Sequence, residues 1–402
     1  MFSGETIVCL SSIDWDANWQ GHQEIMAALA DAGNDVLFVE NTGVRRPAFR
    51  DLPRLRRRVS NWRAGPRGLR TPRPRLTVYS PIVLPFPYSR IAQRVNCRLL
   101  ARVCRPWARA TGRARPIVWT FLPTRLSQDL AVAIGSKLTV YYCVDDLPSS
   151  SDAAARVRKS EAELLRTADL VFVTAEGLRA RAMRLREDVH LFPFGVNYAD
   201  FNRVRRGTEE PPAEIRALPQ PLVGYLGGVN HKFDQQLLIE VARLLPAVHF
   251  ALIGPVETDG SALAACPNVH LIGQRPHTDL PRILKGLSAG IIPYHLTEYT
   301  AHVYPAKLNE YLAMGLPVVS TPLPEALRFN DAHGPVISIA GDAVAFSAAL
   351  RLAMDDWSPE RVERRVAAAR ANRWEPRIAA MGDLVASALA GGRADRDRGS
   401  VI

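Results

Sequence analysis

The chain has 402 residues, 47% of them hydrophobic, which predicts two or three domains with more than one core. No apolar run approaches the roughly 18 residues of a membrane-spanning helix, and Met1-Phe2-Ser3-Gly4-Glu5-Thr6 lacks the pattern of a secretion signal, so a cytoplasmic protein is expected. The five cysteines (Cys9, Cys97, Cys104, Cys143, Cys266) show no C-x-x-C spacing and suggest neither a disulfide framework nor a zinc site. The net charge of +11 is unevenly placed: Val44 to Pro116 holds twenty arginines, no lysine and the single acid Asp51, so this segment carries +19 and the remainder −8. The basicity belongs to one region.

In chain order, Thr6 to Leu10 reads as a buried parallel strand, His22 to Ala32 as a helix closed by Gly33, and Asp35 to Val39 as a second strand. Ligands of such βαβ units sit beyond the carboxyl ends of the strands. The loop there, Ser11 to His22, is longer than the usual αβ connection and rich in polar and aromatic groups, which marks it as functional. Asp14, Trp15, Asp16, Trp19, Gly21 and His22 are its candidates; Asp16 also fits a turn residue and His22 a helix cap.

Val44 to Arg75 reads as loop or short helix. From Tyr88 to Arg105, Arg90, Arg94, Arg98 and Arg102 recur every fourth residue and fall within an arc of about 120°, opposite Val95, Leu99, Leu100 and Val103, so a basic amphipathic helix ended by Pro106 is expected. A solvated surface helix and a surface for anionic lipid are its two main readings; nucleic acid is disfavoured, because no recognised module accompanies the charge. Pro116 to Phe121 and Lys137 to Val144 read as strands. The second delivers Asp145-Asp146 to the carboxyl edge, where a carboxylate can take a proton from a hydroxyl or simply cap the next turn. A helix from about Ala154 to Thr167 and a strand from Asp169 to Thr174 follow.

Leu222 to Leu226 restarts the alternation as a strand, followed by the turn Gly227-Gly228 and a helix from Asp234 to Leu245, a geometry in which backbone N–H groups approach an anion and to which Lys232 can add charge. His249 to Gly254, Val269 to Gly273 and Leu287 to Tyr294 lead to the helix that organises this half. It runs from about Pro305 to Met314, with Lys307 and Glu310 on one face, Leu308 and Leu312 on another, and the buried strand Val318-Val319 beyond Pro317. A cation and a carboxylate at a helix N-terminus fit an anionic ligand, and equally an exposed i,i+3 pair.

Pro305-x-Lys307-x-x-Glu310-Tyr311-x-Ala313-x-Gly315-x-Pro317-Val318-Val319 resembles the nucleotide-sugar signature of the GT-B glycosyltransferases of the family-four-like group, in its teichuronic-acid and exopolysaccharide branch. The resemblance implies an α/β fold of two facing Rossmann-like domains with an interdomain cleft. It divides the chain into residues 1–205 (acceptor domain with a basic, membrane-facing surface), 206–221 (linker), 222–373 (donor domain), 374–390 (a helix crossing back) and 391–402 (a disordered tail).

Lys307, Gly227 and Gly228 would then serve the donor diphosphate and Glu310 the ribose, while Gly273-Gln274-Arg275-Pro276 borders the base and Tyr294, Thr297 and Thr300 are candidate sugar contacts. Trp15 or Trp19 would stack on an acceptor sugar, with Asp14, Asp16, Gly21 or His22 as further contacts, and Asp145, Asp146 or Asp16 would act as base. The implied activity is metal-independent transfer, without cofactor, from a nucleotide-diphosphate sugar to a sugar or lipid-linked acceptor at the inner face of the membrane. His302 stands where many relatives carry a second glutamate, which leaves retention or inversion open. A same-fold 2-epimerase and a non-catalytic membrane-associated binding protein are the alternatives.

Overall fold

A computed structural model describes residues 2–16, 19–43, 68–150 and 152–399. The first part of the arginine-rich segment, 44–67, lies outside the described residues, as do Ala17 and Asn18 of the first loop. The chain forms two compact units, one of Met1–Pro193 with Glu375–Ile402 and the other of Phe194–Trp374. The boundary thus falls at Pro193/Phe194 rather than after residue 205. The helix Tyr198–Arg206 belongs to the second unit because it buries Phe201 and Val204 there, and Lys285 of that unit donates to the Val204 carbonyl at 3.0 Å.

The first unit is built on a sheet with the order β3-β4-β2-β1-β5-β6-β7-β8 among the described residues. Its strands are β1 (Thr6–Leu10), β2 (Asp35–Val39), β3 (Leu69–Arg73), β4 (Leu76–Tyr79), β5 (Ile117–Thr120), β6 (Leu138–Cys143), β7 (Leu170–Val173) and β8 (Val189–Leu191). All neighbours are parallel except β3 and β4. The central strands are apolar runs buried on both faces, as a helix-covered parallel sheet requires. On one face Leu100, Ala101 and Cys104 of the helix Arg90–Ala110 and Leu126 and Leu130 of the helix Arg125–Ala133 close over Val8, Leu10, Leu37 and Val39. A fully buried leucine in such a layer contributes about 1.5–3 kcal/mol.

Three elements depart from the sequence reading. β3 falls where loop or helix is expected, since Leu69-Arg-Thr-Pro-Arg73 has no apolar alternation; it is an edge strand held by its partner β4 and by Arg70. Pro106 does not end the basic helix. It lies on the exposed face, where the carbonyl left without a donor meets water, while Cys104 and Ala108 keep the last turns on the sheet. The helix Trp374–Gly399 runs past Ala390 into the segment expected to be disordered.

The second unit carries a wholly parallel sheet with the order β11-β10-β9-β12-β13-β14 among the described residues. Its strands are β9 (Leu222–Leu226), β10 (His249–Ile253), β11 (Val269–Leu271), β12 (Ala289–Ile292), β13 (Val318–Ser320) and β14 (Ile337–Ile339). The helix Lys307–Ala313 leads into β13, and the buried Arg365 secures its far end by donating to the Gly315 carbonyl at 3.2 Å.

Candidate active site

β9 ends in the turn Gly227-Gly228. Gly227 has φ +125° and donates to the Ile253 carbonyl at 2.8 Å, and Gly254, at φ +154°, crosses so close that a Cβ there would lie 2.1 Å from the Gly227 oxygen. Only glycine permits that crossing. The helix Lys307–Ala313 is pinned to β9 by Tyr311, whose hydroxyl accepts from the Leu226 N–H (2.8 Å) and donates to the Gly224 carbonyl (3.2 Å). Tyr311 in turn leaves no room for a side chain at Gly290, where a Cβ would come within 2.7 Å of its ring. The strand end, the glycine turn and the helix start are therefore one rigid piece.

Lys307 lies within this piece, only 9% exposed. Its ammonium donates to the Tyr294 hydroxyl and sits 4.2 Å from the centroid of the Tyr225 ring and 4.6 Å from that of Tyr294. No carboxylate pairs with it among the described residues; burial lowers its pKa, and Tyr294 acts against that. A Cβ on Gly227 would stand 3.2 Å from the ammonium, so the glycine turn and the cation face the same small space. Lys232 adds a second cation, its Nζ 5.8 Å from the centroids of Tyr294 and Tyr299. The arrangement can hold an oxyanion.

Glu310, one turn on, accepts a contact of 3.1 Å from His277 Nε2, and the His277 ring packs edge-on to Phe201. The loop that carries Arg275 is thereby drawn to the glutamate through His277, a residue the sequence reading did not single out. Arg275 itself pairs with Glu214 at 3.3 Å and donates to the Gln274 carbonyl. Thr300 is spent on its own loop: its buried hydroxyl donates to the His295 carbonyl and accepts from the Thr297 N–H at 2.9 Å, which leaves it as a brace rather than a sugar contact.

In the first unit the loop after β1 is organised by two residues that the sequence reading passed over. Gln23 accepts from the Gln20 N–H (3.0 Å) and donates to the Trp15 carbonyl (3.2 Å) and, at 3.4 Å, to that of Asp14. Glu40, buried directly after β2, accepts from the Trp15 N–H (3.1 Å), the Ser80 hydroxyl (2.7 Å) and Arg70 (3.1 Å). An acid at the carboxyl end of a buried parallel strand was the available signal.

Trp15 is a core residue, packed edge-on against Phe38 (5.0 Å) and Trp19 (5.4 Å), because Phe38 claims its face; it is not an open stacking platform. Trp19 is half-buried and donates its indole N–H to Glu24. Asp16 is exposed and paired with Arg70 at 2.6 Å. Gly21 is buried at the start of the helix Gly21–Asp31, whose N-cap is Gln20 and not His22. His22 is buried, stacks on Phe121 with centroids 3.9 Å apart, and meets the Ser12 hydroxyl at 2.9 Å. Burial holds its pKa down at about 3, so the imidazole is neutral at ordinary pH.

Asp146 is not available as a base. Its carboxylate is buried, pairs with Arg181 at 3.0 Å and accepts from Ser149 at 2.9 Å, while Arg181 also binds Glu161 at 3.0 Å. Asp145, its neighbour, is half-buried at the end of β6.

A family profile described as glycosyl transferases group 1 matches residues 220–356. The chain carries a glycosyl transferases group 1 domain. Lys307, Glu310, Gly227, Gly228, Tyr294 and Tyr311 all lie within that domain. The Bacillus subtilis (strain 168) protein TuaH, whose name assigns it to teichuronic acid biosynthesis as a glycosyltransferase, is 28% identical over 182 residues. That match spans 43% of this chain and 45% of TuaH.

Among solved structures, sucrose-phosphate synthase of Thermosynechococcus elongatus superposes with a TM-score of 0.72 at 18% identity, over 96% of this chain and 100% of that one. Anabaena HepE, solved with UDP and glucose, superposes with a TM-score of 0.62 at 14% identity, over 97% of this chain and 100% of that one. The fold around the group 1 domain is that of the GT-B glycosyltransferases.

Proposed function

We propose that this protein transfers a sugar from a nucleotide-diphosphate donor to a sugar or lipid-linked acceptor of the cell surface. One observation carries the reading: Lys307 is a buried cation with no carboxylate partner among the described residues, set against the glycine turn of a group 1 domain. Burying an uncompensated charge costs several kcal/mol, a cost that a bound anion offsets. A diphosphate gains negative charge as the glycosidic bond to it breaks. Lys307 and the Gly228 N–H are the donors we assign to that charge, since the Gly227 N–H is engaged with the Ile253 carbonyl, and such preorganised donors lower the barrier. Glu310 has the chemistry to accept from ribose hydroxyls, with His277 holding one of its oxygens. Asp145 is the carboxylate we assign to the acceptor hydroxyl, since it is half-buried where Asp146 is buried against Arg181 and Ser149.

The test is a thermal-shift screen with UDP, GDP, ADP, TDP and their common sugar conjugates. A nucleotide at a hundred times its Kd adds about 2.7 kcal/mol of stability. We expect one nucleotide to raise the midpoint of the wild-type protein and to lose that effect in Glu310→Ala. Unchanged midpoints throughout, in folded protein, would sink the donor reading.

We also assign the helix Arg90–Ala110 to an anionic lipid surface. Arg90, Arg94, Arg98 and Arg102 are all exposed, and among them stands Ile91, 74% exposed. Buried Asn96 ties Leu84 to the helix through two hydrogen bonds, of 2.8 and 3.0 Å, and this brings the exposed Ile82, Leu84 and Phe86 alongside. Exposed apolar groups beside arginines suit a lipid headgroup layer, and each arginine adds roughly 1 kcal/mol near an anionic surface. No helix among the described residues is long and apolar enough to cross a membrane. Changing the four arginines to serine is expected to abolish sedimentation with phosphatidylglycerol vesicles while nucleotide binding survives; cosedimentation equal to wild type would refute the assignment.

A further inference from the structure

Lys307 meets its burial with a phenol instead of a carboxylate. A phenol is a weak partner for an ammonium while protonated and a full counter-ion once ionised. The groups around Tyr294 come from four places: Lys307 from the helix, Lys232 from the loop after the glycine turn, Tyr225 from β9, and Tyr299, which shares Lys232. Among the described residues carboxylates act one layer out, Glu310 on Lys307 and Glu257 on Tyr225, with Tyr311 behind Tyr225. Two cations therefore lie about one phenol, Lys307 at its hydroxyl and Lys232 at its ring.

The backbone of Tyr294 is clamped, its N–H donating to the Thr321 hydroxyl (3.2 Å) and its carbonyl accepting from that hydroxyl (2.9 Å). Phe233 bridges to it from the loop that carries Lys232. The phenol is thus placed by the fold, as firmly as the lysine. Burial opposes ionisation of Tyr294, but Lys307 and Lys232, with hydrogen bonds from Lys307 and Tyr225, outweigh it and bring the pKa down to about 8.

Resting on the donor reading above, we propose that Tyr294 is the resting counter-ion of Lys307. The phenol oxygen holds the ammonium contact that an oxygen of the nucleoside diphosphate takes over on binding, and a proton from solvent returns to the phenolate wherever it was ionised. The arriving diphosphate is an anion beside an anion, so the bound state favours the neutral phenol. Donor affinity must then fall as the pH rises past the point where Tyr294 ionises, by roughly tenfold for each pK unit separating its free and bound states.

The experiment is a phenolate absorbance titration from about pH 7 to about pH 9, a window below the usual tyrosine pKa of about 10, together with calorimetry of UDP, GDP, ADP and TDP in buffers of different ionisation heat. We expect one tyrosine to ionise within that window in the wild-type protein, and the step to disappear in both Tyr294→Phe and Lys307→Met. A saturating nucleoside diphosphate should suppress it, with proton uptake on binding at the upper end of the range and none at the lower. Nucleotide binding that leaves the phenolate step unchanged and takes up no proton overturns the displacement and leaves the donor site standing. Failure of every nucleotide to bind overturns both.

Discussion

Lys307→Met is expected to cut sugar transfer by about 10²- to 10³-fold, the usual effect of removing one preorganised donor from a developing oxyanion, and at the same time to raise the thermal midpoint of the nucleotide-free protein. The second effect runs against the habit of core substitutions, most of which destabilise. It follows from the surroundings of the ammonium among the described residues: 9% exposed, one hydroxyl contact, two aromatic faces and no carboxylate. The ring faces and the Tyr294 contact return part of the desolvation cost, about 2 kcal/mol for a desolvated cation over a ring, but a thioether of similar length pays none of it. Apolar replacement of buried charges stabilises by about 1–4 kcal/mol where it has been seen to help. For a unit of this size each kcal/mol is worth roughly 2–4 °C. Calorimetric melting of both proteins, with and without the nucleotide that binds, checks it. A variant that is inactive and also melts lower would make Lys307 a structural group, and the anion site would lose its main support.

Local residues set the elements of this fold, and long-range contacts set the partners of its charged groups. The helix Lys307–Ala313 is legible because Pro305, Gly315 and the apolar spacing are all local, and so are β1, β2, β9 and β10, whose continuous apolar runs leave little else for the chain to do. That Lys307 and Glu310 share a face was legible too. That they have separate partners was not, since Tyr294 and His277 reach them from 13 and 33 residues away. The same holds for Arg181, which crosses 35 residues to Asp146. Long-range pairing leaves no periodic trace. Trp15 misled for a related reason: an aromatic in a polar loop reads as exposed until Phe38 of the neighbouring strand takes its face. β3 misled because an edge strand needs only one partner and tolerates the arginines and the proline that a central strand would refuse.

Asp146→Ala carries the other large effect, and it falls on stability instead of chemistry. Arg181 lies between Asp146 and Glu161, and Tyr141 donates to Glu161 at 2.8 Å from the strand beneath. Glu161 comes from the helix Arg158–Thr167 and Arg181 from the helix Glu176–Met183, so the cluster joins two helices to the end of β6. Removing one carboxylate leaves the guanidinium with Glu161 and the weak Cys143 Sγ contact, and the Ser149 hydroxyl without its acceptor at 2.9 Å. Breaking a buried pair by deleting one partner costs about 3–5 kcal/mol. Asp146→Ala should therefore melt well below wild type and, assayed beneath that midpoint, transfer sugar at a rate within a few-fold of it. Asp145→Ala should do the reverse where rate is concerned, losing about 10²- to 10⁴-fold beneath its own midpoint, the range of a lost general base. Rates and melting curves of the two variants side by side decide between the adjacent acids. A stable, inactive Asp146→Ala would return the base to the buried carboxylate and require Arg181 to release it during the reaction.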